Sequence, residues 1–335
     1  MLLDSGFFFC TAHPWARIEF RPEKIIYDCL SFVDQHKLTK MEWYIFALLA
    51  PAFWAMNNVF IKFLLTNKFK NNLPMMFTAI LCDMVFALVV AFFAPIKIDF
   101  PYSIAALLAG LMPLAGFWFY TKALLFEEVS RIVTLFQLVP LFVVCLSAVF
   151  LGEILGFQKY LGISLIIVAS TLVSYKKLGN KAFSGALKFM IPFAVLIATY
   201  TISDKMLLGY LDFWSVFFWN ILGTFCGVFI LLSFSKPRKE FRVAVSEAGK
   251  KAVFTAFIGE GLYIMGTICS LAALSLVDAS LASALFGLQP FFVFFYILLL
   301  SLFLPKILNE DISKSIVMLK ASAIALMLIG TWLVI

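Results

Sequence analysis

The chain has little charge and almost no histidine. Only 13% of its 335 residues are charged, and its two histidines, His13 and His36, both precede the first long apolar stretch. The apolar remainder therefore has no imidazole for a metal site, a proton relay or a catalytic triad. The six cysteines show no close spacing, which argues against a disulfide framework and against metal thiolates. We expect no cofactor and no bound metal.

Hydrophobic residues dominate instead. They make up 63% of the chain, which includes 40 phenylalanines, and such a composition excludes an ordinary soluble surface. The net charge of +7 comes from short basic runs between apolar segments and not from one basic face. That distribution is typical of membrane-protein loops, so we expect a lipid bilayer as the environment and no nucleic acid as a partner.

Ten apolar stretches each approach the ~20 residues needed to cross a bilayer core. Because lipid cannot satisfy an open backbone, the predicted fold class is an all-α integral membrane protein with ten transmembrane helices. Residues 1–40 carry ten charges and no convincing signal peptide, which favours a poorly ordered tail or a mis-called start over a domain. The expected spans 1 to 10 are 43–65, 73–94, 103–126, 129–151, 159–176, 186–208, 213–234, 251–275, 279–304 and 315–335.

The chain repeats itself at an offset of 150 residues. Between residues 122–143 and 272–293, nine positions carry identical residue types, including the pairs Ser130 and Ser280, and Pro140 and Pro290. This agreement predicts an internal repeat. The offset pairs span 3 with span 8 and span 4 with span 9.

The repeat divides the apolar part into two five-span units. These are residues 41–177 and 189–335, joined by a basic loop at 178–188. An odd number of spans inverts the second unit in the membrane. Inverted repeats are typical of transporters, which hold a substrate between the two halves.

The sequence Leu151-Gly152-Glu153 closes span 4, and a glycine-rich fifth span follows it. Together with the ten spans and the duplication, these residues resemble the EamA-type members of the drug/metabolite transporter superfamily over about residues 41–335. The resemblance implies a small metabolite, amino acid or drug as substrate, and a central cavity lined by spans 1, 3, 4, 6, 8 and 9. It also implies a multi-pass protein of the plasma (inner) membrane. The second half departs from the pattern, because Phe303-Leu304-Pro305-Lys306 stands where a second Leu-Gly-Glu is expected.

The orientation inferred from charge conflicts with the resemblance. Fifteen basic residues flank the loops after odd-numbered spans, whereas the other side has only Lys97 and Lys159 beyond the N-terminal tail. The positive-inside rule then places both termini outside, and the resemblance implies both inside. We follow the charge count, since it rests on these residues.

The sequence does not distinguish a monomer from a homodimer, so both stay open.

Glu260 is the sharpest candidate for chemistry. It lies near the middle of span 8 between Gly259 and Gly261, with Tyr263 on the same helical side. An acid at this depth costs about 2.5–3.5 kcal/mol on insertion scales, so it needs a partner or a purpose. Burial favours its protonated form, which suits both a proton-coupled carrier and an inert hydrogen-bonded acid. Both roles stay open, and the flanking glycines equally permit close helix packing.

The other candidates are polar or aromatic side chains within the spans, and each has a structural alternative. An amide can join two helices, an acid can cap a helix or pair with a base, and a ring can pack or face lipid. Asp83 of span 2 is expected to pair with a neighbouring span. Gln137 and Gln289 precede prolines, where an amide either satisfies a freed carbonyl or faces the cavity. With Glu260, the predicted substrate-binding or coupling residues are Trp54, Asn57, Asn58, Trp118, Gln137, Tyr200, Asp204, Tyr263 and Gln289.

The predicted function is secondary transport of a small molecule by alternating access, either proton-coupled or by exchange. An intramembrane enzyme is the main alternative, because Glu127-Glu128-Val129-Ser130-Arg131 resembles the paired-glutamate motif of CAAX-type proteases. That motif has one more residue before its arginine, and such enzymes also need membrane histidines, so we expect no enzyme. A channel is a third alternative, opposed by the absence of a filter-like motif.

Overall fold

The chain is helical throughout the part that the structure, a computed structural model, describes. This part comprises residues 43–69, 71–123, 135–173, 184–303 and 314–335. The described residues form twelve helices and no strand. In chain order these are α1 Trp43–Asn67, α2 Asn72–Phe93, α3 Tyr102–Ala109, α4 Leu111–Ala123, α5 Leu138–Phe150, α6 Phe157–Val173, α7 Ser184–Leu207, α8 Phe213–Ser233, α9 Ser235–Leu276, α10 Ala279–Phe286, α11 Gln289–Phe303 and α12 Lys314–Val334.

Within the described residues, each of the ten predicted spans overlaps one helix or two consecutive helices. Six candidate spans, among them residues 43–65 and 213–233, are long and apolar enough to cross a bilayer, and shorter apolar helices cover the others. Large apolar side chains cover the outer surface: Phe92 is 83% exposed and Trp332 is 75% exposed. Such exposure suits lipid and not water. The all-α, multi-pass membrane prediction is therefore confirmed.

Among the described residues, spans 3 and 9 are each divided between two helices. Span 3 is divided between α3 and α4 at Gly110, and span 9 is divided between α10 and α11. In the second case Pro290 lies in the first turn of α11, where a residue without a backbone N–H is tolerated. Pro140 occupies the same kind of position in α5, which begins at Leu138.

The expected spans 213–234 and 251–275 imply a connecting loop around residues 235–251, and this expectation is wrong. This segment is helical and continues into span 8 through a kink at Gly249, whose φ of 79° lies in the left-handed region. The basic residues had suggested a loop. However, Phe241 and Val245 are four residues apart and both pack against the bundle, so the segment is an amphipathic helix.

Several predictions fall outside the described residues. They concern the N-terminal tail, the paired-glutamate segment at 127–131, most of the inter-repeat loop and the Leu304-Pro305-Lys306 segment. The proposed division into domains is likewise untested by the fold.

Helix packing has a paired pattern. The most extensive contact joins α1 to α9, and α7 packs in the same way on α4; α1 also packs on α11, as α7 does on α5. If the spans of one half are exchanged for those of the other, the α1–α9 contact becomes the α7–α4 contact. The α1–α11 contact becomes the α7–α5 contact in the same way. Glycines permit the closest approaches, since a Cβ at Gly110 would overlap the carbonyl oxygen of Asn220. Gly162 of α6 and Gly330 of α12 approach each other reciprocally.

Candidate functional site

Glu260 lies in the contact between helices of the two halves. Its side chain is 3% exposed and belongs to α9, which packs against α1 and α2. The glycines beside it make room for first-half side chains: a Cβ at Gly259 would lie 2.9 Å from Oδ1 of Asn57, and one at Gly261 would lie 3.3 Å from Phe86. The close-packing role foreseen for these glycines therefore agrees with the geometry, and the same packing buries the acid.

The carboxyl group of Glu260 interacts with Asn57 of α1 and with Asp83 of α2. Asn57 is 3% exposed and Asp83 is 7% exposed, so all three side chains are buried. One oxygen of each, namely Asn57 Oδ1, Asp83 Oδ1 and Glu260 Oε1, has no hydrogen-bond partner in the described structure. Unpartnered buried acceptors are costly, and a donor that reached these oxygens would remove that cost.

Asp83 is a member of this buried group that the sequence analysis did not place in the site. It was expected to pair with a neighbouring span, and the contact with Glu260 agrees with that expectation, but it was not among the predicted site residues. A signal was available in the sequence, because an acid within an apolar span requires a partner, and Asp83 and Glu260 are two such acids.

A second polar group surrounds Asp204 of α7. Asn220 of α8 donates its amide to Asp204 Oδ1 at 2.7 Å, and the same amide lies 3.4 Å from the Tyr200 hydroxyl oxygen. Tyr263 of α9 interacts electrostatically with Asp204 and also with Glu260, so it stands between the two groups. Asp204 therefore accepts a hydrogen bond from an amide of the second half, where the sequence had suggested an ion pair or a helix cap.

Gln137 and Trp54 lie near the break between α10 and α11. Gln137 donates its amide to the carbonyl oxygen of Gly287 at 3.1 Å, and its own Oε1 has no partner. Gln137 and Gly287 occupy equivalent positions of the 150-residue repeat. The Trp54 ring meets the edge of Phe286 with ring centroids 5.4 Å apart, and its indole N–H is buried without a partner.

Three predicted site residues, Trp118, Asn58 and Gln289, are not part of the polar groups described above. Trp118 is 46% exposed, and the Lys122 ammonium lies 5.5 Å from the centre of its ring. Asn58 and Gln289 are partly buried, and none of the hydrogen bonds in the described part of the chain joins them to another candidate. The structure therefore brings together Asn57, Tyr200, Asp204, Tyr263 and Glu260, with Gln137 and Trp54 at a separate inter-helix contact.

Glu153 joins the halves at one end of the bundle. Its carboxylate accepts hydrogen bonds from the backbone N–H groups of Ala279 at 2.8 Å and Ser280 at 3.1 Å, and from the Ser280 hydroxyl at 2.8 Å. These groups form the N-terminus of α10, where backbone donors lack helical acceptors. Beside it, the Lys205 ammonium donates to the carbonyl oxygen of Leu274 near the end of α9 and to that of Val277, which directly follows α9. We name these contacts the Glu153 latch.

Comparisons with known proteins agree with this fold. A solved structure titled "Crystal structure of protein" matches 88% of this chain and 96% of its own, with a TM-score of 0.66 and 16% identity. At that identity the likeness concerns the fold alone. No curated protein matches the chain.

The EamA-like transporter family matches residues 41–175. This match contains the first-half members of the buried acid group, Asn57 and Asp83, and the Glu153 latch residue. The resemblance predicted from the sequence is therefore confirmed: the first half of this multi-pass membrane protein matches the EamA-like transporter family, in keeping with the drug/metabolite transporter superfamily.

Proposed function

We propose that the protein is a secondary transporter that carries a small molecule across the plasma membrane by alternating access and couples this movement to protons through Glu260. The substrate would bind between spans 1, 3, 6 and 8. The observation that carries the proposal is the contact of Glu260 with Asn57 and Asp83, because this buried polar group is formed jointly by the two halves.

The paired packing of the helices supports two inverted repeats. A two-fold axis in the membrane plane exchanges span 1 with span 6 and span 8 with span 3. It therefore turns the contact of span 1 with span 8 into the contact of span 6 with span 3, and both contacts are present. Residues on such an axis meet their own equivalents, as Gln137 meets Gly287 at the same offset of 150 residues. Rocking of two such halves about a central site is the usual form of alternating access.

The chemistry of the acid pair gives a reason for coupling. Two adjacent carboxylates repel each other, and an apolar surrounding makes this repulsion larger than in water. A single proton held between Asp83 and Glu260 removes the repulsion and lets α1, α2 and α9 pack closely. When the halves move apart, water reaches the pair and the proton can leave. Movement of the halves is thereby linked to loss and gain of a proton.

The Glu153 latch supports a conformation in which the bundle is closed at the end where Glu153 lies. It lies after span 4 and beside the connection between spans 8 and 9, which is one face of the membrane, whereas Glu260 lies at mid-depth. Alternating access then requires the latch to release when that face opens.

The test combines a ligand screen with transport. Purified protein is screened against amino acids, nucleosides, sugars and cationic drugs for thermal stabilisation, since a bound ligand raises apparent stability by mass action. The substrate so found is then followed into liposomes with and without a proton gradient. Glu260→Gln should abolish the effect of the gradient, and Asp83→Asn should weaken it, because either change removes one member of the pair.

Glu240→Gln is the matched control, because Glu240 is an exposed acid on the same helix. It should transport like the unaltered protein. Gradient-dependent uptake that persists in Glu260→Gln would remove Glu260 from the mechanism, and absence of any uptake would contradict the transport function itself.

A further inference from the structure

A cleft opens on the outer surface beside the kink at Gly249. Its volume is about 490 Å³, and it lies between the amphipathic part of α9, the start of span 8 and the side of α2. Val253, Phe254 and Phe257 form its apolar wall, with Cys82 opposite, whereas Ser246 and Lys250 are its polar residues. The polar groups stand at one end of the cleft and the apolar groups follow along the span.

The kink creates this shape. The left-handed backbone of Gly249 turns the amphipathic segment away from the axis of span 8, and a Cβ placed there would meet no atom within 4 Å. The space beside the kink is therefore not filled by the protein. Phe254 is 64% exposed, so the apolar wall faces the hydrocarbon of the bilayer.

The helical segment that leads to the polar end is rich in positive charge. Residues 235–251 contain six basic and two acidic side chains, and all six basic side chains are exposed. Lys250 and Lys251 come directly before the apolar part of span 8, which places their ammonium groups at the level of lipid headgroups. Clusters of this kind beside a transmembrane helix attract anionic lipid surfaces.

We propose that this cleft is a binding site for one anionic phospholipid, with an acyl chain against Val253, Phe254 and Phe257 and the phosphate at Lys250. A soluble metabolite does not fit this arrangement, because the wall offers it no polar groups beyond the one end. A zwitterionic lipid shares the acyl chain but carries a cationic group that the neighbouring lysines repel. The preference therefore rests on the charge at the rim, and residence in the cleft rests on its apolar wall. The Ser246 hydroxyl adds a donor at the same end.

The test is lipid retention by the full-length protein in detergent, measured by native mass spectrometry. The protein is titrated with phosphatidylglycerol or phosphatidylcholine. We expect one phosphatidylglycerol to be retained at least ~10-fold more tightly than phosphatidylcholine. Lys250→Gln should remove this preference, whereas Val253→Trp should fill the cleft and weaken retention of both lipids.

Lys236→Gln provides the matched control. It removes the same charge from the same amphipathic segment, roughly 20 Å along the helix from Lys250. Retention in this variant should equal that of the unaltered protein. Equal losses in Lys236→Gln and Lys250→Gln would show diffuse attraction and overturn the site, as would equal retention of the two lipids by the unaltered protein.

A further arm separates a lipid site from an anion site. Glycerol 3-phosphate carries the phosphate without acyl chains and should not displace the retained lipid. Displacement at equal concentration would also overturn the proposal. None of these measurements depends on transport, so the lipid site and the transport function can fail separately.

Discussion

Replacing Glu153 with glutamine should loosen the end of the bundle where the halves are latched. The carboxylate accepts from two backbone N–H groups and one hydroxyl, and the donor residues Ala279 and Ser280 are almost fully buried. Glutamine keeps one accepting oxygen but turns an NH₂ group toward the remaining donors. At least one buried donor then loses its partner, and the favourable charge at the helix N-terminus is lost as well.

The magnitude follows from these contacts. An unsatisfied buried donor costs about 1–3 kcal/mol, and we take about 2 kcal/mol because Glu153 itself is partly exposed. Since about 1.4 kcal/mol corresponds to a factor of ten, opening of the latch should become about 30-fold more frequent. Ser280→Ala removes only one neutral donor, which is worth about 1 kcal/mol, and should raise opening about 5-fold.

The assay is hydrogen–deuterium exchange of the peptide that contains Ala279 and Ser280. Their amides are protected by Glu153, so exchange in Glu153→Gln should be faster by about the factor estimated above. A peptide from α8 should exchange at an unchanged rate, which separates local opening from general unfolding. Unchanged protection of Ala279 and Ser280 would refute the assignment of Glu153 as the latch.

Two further predictions concern stability. Gly110→Ala should lower the thermal midpoint of the purified protein strongly, because the new Cβ overlaps the Asn220 carbonyl and must push α3 and α8 apart; Gly156→Ala, where no atom lies within 4 Å, should change it little. Asp204→Ala should destabilise the protein by about 1–3 kcal/mol, since the buried Asn220 amide loses its acceptor, whereas Asp204→Asn should cost less; equal midpoints for the two variants would contradict this account.

The predicted spans were nearly correct because their signal is local. A run of about 20 apolar residues must be helical in lipid, whatever it packs against. The segment 235–251 was misjudged for the opposite reason. Its helix is stabilised by the packing of Phe241 and Val245 on neighbouring helices, and the sequence alone showed mainly its charge.

The candidate site was predictable in its members more than in its contacts. Glu260, Asp204 and Asn57 are conspicuous because polar side chains are rare in the spans. Their partners were not predictable: Glu260 interacts with Asp83, and Asp204 accepts a hydrogen bond from Asn220. Partners lie far apart in the chain, and no local pattern encodes which helices meet.

The Leu151-Gly152-Glu153 signature shows the same division. Its presence indicated a family, and the family match over residues 41–175 confirmed it. Its physical purpose became visible only in the fold, where Gly152 adopts a φ of 68° and Glu153 satisfies the N-terminus of α10 in the other half. A turn that serves a helix more than 100 residues away cannot be read from the turn itself.

The sequence by itself determined that this protein is a bundle of membrane helices, because hydrophobicity and length act on each segment separately. It also determined which few polar residues lie within the membrane. Only the tertiary structure decided that Glu260 meets Asp83 across the two halves, that Glu153 latches one end, and that a kinked basic helix borders an apolar cleft. These features depend on distances between segments that are remote in the chain, and packing alone sets those distances.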